Sequence, residues 1–241
     1  MPAAAVSTID AAGRFVDDVG LALLFPAARV DAPSLWEAVA GEDAEPFATG
    51  MNEAESRVWA WKDELPREGL AWYGKFLFRR ASLLSPRLLS ALYAGRGEPT
   101  DHLAMELSRE AHEIAEALAA GPLTTAALRQ LIGNRTAYER GTGELQRSLL
   151  VTSAGVQPQR SGWPAGIVDL TCRIFEVGAG LDDGYAAARF LATVLRTTPR
   201  ELSRAYGWTA AAARAELDRL VASGTAVCSR PGDYDLARVP A

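Results

Sequence analysis

The sequence predicts an α+β, helix-rich fold made of tandem winged helix-turn-helix units behind a mixed N-terminal region. Three observations predict it. Cap residues and stop glycines divide the last 60 or so residues into helix, short helix, long helix and hairpin. The same order occurs once before, over residues 103–176. Glu144-Leu145-Gln146-Arg147 is echoed later by Glu216-Leu217-Asp218-Arg219, the kind of internal repetition that marks repeated units.

In the C-terminal unit, residues 182–241, Ala188, Leu191 and Leu195 share one face of a helix over 183–195. Thr198 is placed to cap a short helix that Pro199 opens and Gly207 ends. Thr209 caps a longer helix to Ser223, with Ala213, Leu217, Leu220 and Val221 inward and Gly224 as its stop. Residues 225–230 and 234–239 flank Pro231-Gly232-Asp233 as a hairpin.

In the middle unit, Leu107, Ala111, Ile114 and Leu118 mark a first helix closed by Gly121-Pro122. Thr124 or Thr125 caps a short helix ended by Gly133-Asn134, and a third helix runs over 136–149. Gly141 and Gly143 inside it cost about 1 kcal/mol each relative to Ala, so a bend or a close approach is expected there. Strands are expected over 150–156 and 167–173, with Gln159, Arg160, Ser161, Gly162 and Trp163 as the wing between them. Val177-Gly178-Ala179-Gly180-Leu181 reads as linker.

Residues 1–102 read as a mixed α/β region, with a divergent winged helix as the alternative. Phe15, Val19, Ala22 and Leu23 form one helical face stopped by Pro26, and Ser34-Leu35-Trp36-Glu37 is a capping box opening a helix to Gly41. An acidic loop over 41–50 follows. Trp59, Trp61, Trp72, Tyr73, Phe76 and Phe78 crowd the next stretch, 70–79 is strand-like, and Ser85-Pro86 starts a helix through Tyr93.

With 241 residues, 49% hydrophobic and 23% charged, the chain has an ordinary globular balance. It shows no apolar run of membrane-spanning length and no basic signal region at its start, so a cytoplasmic protein is expected, nucleoid-associated if bound to DNA. Cys172 and Cys228 are far apart, and His102 and His112 lack a second ligand cluster. Neither a disulfide nor a metal is expected. No Gly-x-Ser-x-Gly elbow is present, Gly178-Ala179-Gly180 follows no strand, and Gly74-Lys75 is followed by Phe76. No cofactor is expected.

The net charge is −5, from 25 Lys and Arg against 30 Asp and Glu, yet its distribution is uneven. Residues 1–100 carry 10 basic and 14 acidic side chains, whereas 189–230 carry 7 Arg against 3 acids. A mildly acidic protein can thus present one basic face. In a winged helix the third helix meets the major groove and the wing meets phosphates or the minor groove. The expected DNA contacts are therefore Arg135, Arg140 and Arg147 on or near the middle third helix, with Arg160 and Trp163 at its wing. Arg200, Arg204 and Arg214 serve in the last unit. Ala210 to Ala213 offer little to read, which favours phosphate-driven binding to double-stranded DNA. No catalytic residue is assigned. Asp63 and Glu64 beside Trp59, Trp61, Trp72 and Tyr73 have the residue types that base excision needs, but aromatic packing and solvated acids explain them more simply.

Phe15-Val16-Asp17-Asp18-Val19-Gly20, Leu24-Phe25-Pro26, Ser34-Leu35-Trp36-Glu37, Trp61-Lys62-Asp63-Glu64-Leu65-Pro66 and Tyr73-Gly74-Lys75 carry a resemblance over roughly 11–240. The sequence resembles bacterial winged-helix proteins related to the AlkZ/YcaQ-type DNA glycosylases that unhook interstrand crosslinks. The resemblance implies tandem winged helices around a duplex-DNA channel, and in those glycosylases an N-terminal Gln-x-Gln or Gln-x-Asp pair carries catalysis. Residues 1–100 here contain no Gln, and Gln157-Pro158-Gln159 falls in the expected middle wing. The catalytic role is therefore not carried over. A DNA binder without catalysis is the expected function, with a glycosylase of diverged motif and a protein-interaction scaffold as its rivals.

Overall fold

The computed structural model describes residues 6–28, 30–48, 50–159 and 164–237. Its helices and strands repeat one order three times, where the sequence suggested two. The first repeat runs α1 (Ile9–Val19), β1 (Leu21–Leu23), α2 (Leu35–Ala40), α3 (Glu53–Arg67), β2 (Trp72–Lys75) and β3 (Ala81–Leu84). A connecting α4 (Pro86–Leu92) leads to α5 (Arg109–Ala119), β4 (Leu123–Thr124), α6 (Thr125–Ile132), α7 (Arg135–Arg147), β5 (Val151–Gln157) and β6 (Ala165–Leu170). A short α8 (Thr171–Ile174) precedes α9 (Asp183–Val194), β7 (Arg196–Thr197), α10 (Pro199–Tyr206), α11 (Ala210–Ala222), β8 (Ala226–Arg230) and β9 (Asp233–Leu236). Each repeat closes an antiparallel three-stranded sheet in the same way: β1-β3-β2, β4-β6-β5 and β7-β9-β8. The strand after the first helix pairs with the last strand of the hairpin. The order is the one expected for the two later units, and the region read as mixed follows it too.

Local chemistry sets most boundaries. The Ser34, Asn52 and Thr198 side chains each accept from the backbone three residues on, and Glu37, Glu55 and Glu201 return the bond to complete capping boxes. Each such cap contributes about 1 kcal/mol. Gly133 and Gly207 end α6 and α10 in the left-handed conformation.

Three expected elements differ, the first being the strand-like run 70–79, which is strand only over Trp72–Lys75 and turns at Leu77–Arg79 before β3. The helix read through Ala22 and Leu23 ends at Val19, because Gly20 turns the chain at φ 79°. The apolar Leu21–Leu23 then enters the sheet as β1, paired to β3 and wholly buried. Likewise β6 stops at Leu170 rather than Arg173, where Thr171 begins a helical turn that returns its N–H to Leu150 O at 2.8 Å.

Gly141 is a close approach. A Cβ there would lie 3.1 Å from the Ala111 backbone nitrogen, so the glycine lets α7 press against α5; α7 stays continuous through it.

A single hydrophobic cluster joins the three repeats, from Leu21, Trp72 and Phe76 through Ile114, Leu145 and Val168 to Phe190, Leu217 and Tyr234. A second cluster, with Trp36, Val58, Trp61 and Leu65, belongs to the first repeat. Trp72 is fully buried, and its indole N–H donates to Thr171 Oγ1 at 3.1 Å, tying the first repeat to the second. Among the described residues, no helix is long and apolar enough to cross a membrane.

Candidate nucleic-acid interface

The turn between β2 and β3 is the wing of the first repeat, and it sits where all three repeats meet. Its tip is strained: Phe78 at φ 48° and Arg79 at φ 62° are consecutive non-glycine residues in the left-handed region. Such conformations cost roughly 1–2 kcal/mol each and persist only where surrounding structure holds them. Here α10 packs against residues 77–79. The Arg204 guanidinium lies 5.7 Å from the centre of the Phe78 ring. On the other side the backbone N–H of Lys75 donates to Gln146 Oε1 of α7 at 3.1 Å.

Three neighbouring depressions border this wing. One of about 740 Å³ lies between the wing and α7, lined by Lys75, Arg79, Ser108, Arg140, Glu144 and Arg147 among others. The second, about 440 Å³, shares Arg79 and Arg147 with the first and adds Phe76, Phe78, Arg204, Tyr206 and Trp208. A third of about 550 Å³ shares Phe78 and Arg204 with the second and adds Arg80. Together they form a groove across the junction of the repeats. Lys75, Arg79, Arg80, Arg147 and Arg204 are exposed and make no ion pair with any other described residue.

The two acids of the first depression are already engaged and the second has none, whereas Asp31, Glu201 and Asp233 line the third. Glu144 accepts from Ser108 N at 3.1 Å and from Ser108 Oγ at 2.5 Å. Glu139 accepts from Arg135 Nε at 2.7 Å. That bond, with the charge of Arg135 and lesser help from Lys75 and Arg129, holds the Glu139 carboxyl below the usual carboxylate range. The first two depressions suit multiply charged anions such as backbone phosphates: guanidinium groups without an acid partner among the described residues, and no carboxylate left unengaged.

Of the residues singled out from sequence, Arg140, Arg147 and Arg204 reach the groove. Arg140 does so while pairing with Glu110 at 2.7 Å, and Arg135 spends its charge on Glu139. Arg200 and Arg214 are exposed on α10 and α11 but line none of the three depressions. Arg160 and Trp163 lie outside the described residues. Sequence reasoning missed Lys75, Arg79 and Arg80. Their signal was a Lys and an Arg pair in and just after the aromatic, strand-like run 70–79.

The other candidates fall elsewhere. Trp61, Trp72 and Phe76 are core, while Trp59 is 42% exposed with the Lys62 ammonium 5.0 Å from its ring. Asp63 is buried, pairs with Lys62 and accepts from Ser153 Oγ of β5 at 2.6 Å, an internal bond between the first and second repeats. Gln157 and Gln159 are exposed at the far end of β5. Thr152, which bonds Tyr73 at the near end, is about 16 Å away from Gln157 along the strand. His102 and His112 approach to 5.9 Å between ring centres, and among the described residues no three metal-binding side chains are grouped.

A family model described as AlkZ related matches residues 6–212. Among solved structures, the DNA glycosylase AlkZ of Streptomyces sahachiroi is similar at 17% identity with a TM-score of 0.44. That likeness covers 78% of this chain and 56% of the other, so the present chain spans little more than half of that protein. No curated protein sequence matches.

Proposed function

The chain belongs to the AlkZ-related family, and from that premise we propose that it binds double-stranded DNA in the groove at the repeat junction, chiefly through phosphates. One observation carries this reading. Arg79 of the first repeat and Arg147 of the second line two adjoining depressions together, and neither is paired with an acid among the described residues. Lys75, Arg140 and Arg204 extend the same basic track. In this reading residues 103–176 and 182–241 are winged-helix domains, and the region before them is a third.

Base excision is not part of the proposal. Residues 1–100 contain no Gln, Asp63 is occupied by Lys62 and Ser153, and Gln157 and Gln159 line none of the three depressions. Release of a free base from alkylated or crosslinked duplex by this protein would overturn that part.

Fluorescence anisotropy on a random duplex tests the binding. Affinity is expected to fall steeply with salt. Replacing Arg79 or Arg147 by Ala should weaken binding on all duplexes alike and shallow the salt slope by about one. A protein that ignores random duplex at low salt sinks the reading, and the scaffold alternative replaces it.

A further inference from the structure

The second depression differs from its neighbours in being walled by aromatic rings, which phosphates do not need. Phe76, Phe78, Tyr206 and Trp208 line it, together with Arg79, Arg147 and Arg204. Its walls come from the wing of the first repeat, from α7 of the second and from α10 and the turn after it in the third. Tyr206 and Trp208 meet edge-on at 5.3 Å between ring centres, and Phe76 lies 6.0 Å from Tyr206. Tyr206 and Phe76 are buried and form the floor, while Phe78 and Trp208 remain half-exposed. Ser203 Oγ donates to the Trp208 carbonyl at 2.7 Å, which fixes the backbone carrying the indole. The volume, about 440 Å³, is in the range of pockets that hold small planar ligands.

We infer that this pocket receives an unstacked nucleobase, held against Trp208 and Phe78 while Arg79, Arg147 and Arg204 hold the flanking phosphates. Three features require each other here. Aromatic faces take any base by stacking without reading its sequence. Arg79 and Arg147 line both this pocket and the larger depression beside it, so a backbone held by them can continue past the base from one into the other. The left-handed Phe78-Arg79 tip places a ring and a cation side by side on the pocket. The ligand class is therefore a duplex with one extrahelical or unpaired nucleotide. The inference rests on the duplex-binding reading for its phosphate contacts, and adds a site for the base.

Two 20-base-pair duplexes, one matched and one with a single bulged 2-aminopurine, separate the two claims in a titration of the full chain. The bulged duplex should bind about tenfold more tightly, within what one base–aromatic stack contributes, and its 2-aminopurine fluorescence should be quenched on binding. Trp208→Ala should reduce the preference to within about twofold, weakening the bulged duplex far more than the matched one. Trp208→Phe, which keeps a ring, should retain most of it, and it decides the matter if the alanine variant does not fold. Equal affinity for both duplexes, unquenched fluorescence, or a preference that survives Trp208→Ala overturns the base site while leaving duplex binding in place. Loss of binding to both duplexes overturns both.

Discussion

The tetrapeptides Glu144-Leu145-Gln146-Arg147 and Glu216-Leu217-Asp218-Arg219 occupy the same place in two repeats, yet their charges end differently. On α7, Glu144 crosses to Ser108, the N-cap of α5, and takes both its N–H and its hydroxyl proton. Arg147 is left facing the groove. On α11, the corresponding N-cap of α9 is Asp182, whose carboxylate accepts from Tyr185 N and whose own N–H donates to Ala91 O. Glu216 approaches the same place: its Oε2 and Asp182 Oδ1 lie 3.9 and 3.7 Å from where a Gly184 side chain would begin. With no donor there, Glu216 pairs with Arg219 of its own helix, and its buried Oε2 has no partner among the described residues. The two repeats thus differ at the helix cap, Ser or Asp, and with it in whether the last arginine pairs with the glutamate of its own helix.

The comparison breaks at its strongest bond first. Glu144→Ala should cost about 2 kcal/mol of stability, read as a lower urea midpoint, because it strips the Ser108 cap of its charged acceptor. The matching Glu216→Gln should cost far less, since that carboxylate holds no cap. An equal loss from the two would refute the contrast. Next in size is the effect on DNA. Arg147→Ala should weaken duplex binding about fivefold at low salt, as a charge-assisted phosphate contact does, and Arg219→Ala should leave it within about twofold. Converting one cap into the other sharpens the case: Asp182→Ser keeps the bond to Tyr185 N, supplies Glu216 with a donor and should raise stability by about 1 kcal/mol. A variant no more stable than the parent would show that the cap does not direct Glu216.

The smallest effect concerns Arg135, on the same helix as Arg147 but silenced by Glu139. Glu139→Gln should strengthen duplex binding about twofold by returning that guanidinium to solvent. Because the Glu139 carboxyl is held below its ordinary value, its pairing with Arg135 is complete at neutral pH. The pair is lost only as pH falls through that lowered value. Binding in the wild type should thus be insensitive to pH from 6 to 8 on this account, and a change in that window would assign the titration elsewhere.

What was legible in the sequence was local. Thr198, Pro199, Gly207 and Thr209 carry their own cap and stop geometry, so α10 and α11 could be placed within a residue. The first repeat hid for the opposite reason. Its α3 starts at an Asn52–Glu55 capping box with no obvious apolar stripe, and keeps Pro66 in its last turn. Its β1 is three residues long and fits a helical face as well as a strand. The groove was half legible. Arg140, Arg147 and Arg204 follow from helix positions, but Arg79 gains its role from α7 and α10, which lie far along the chain. No local pattern reports that meeting.

In every repeat the middle strand of the sheet, β3, β6 or β9, is also the last one in the chain. During synthesis, then, each sheet waits with two unpaired strands until the ribosome has released the residues ending near 84, 170 and 236. The third repeat is closed only by β9, so the complete groove forms only once the residues up to Leu236 have been released. A chain stopped before Asp233 would carry two finished repeats and an open third, with edges of β7 and β8 exposed to pair with other chains.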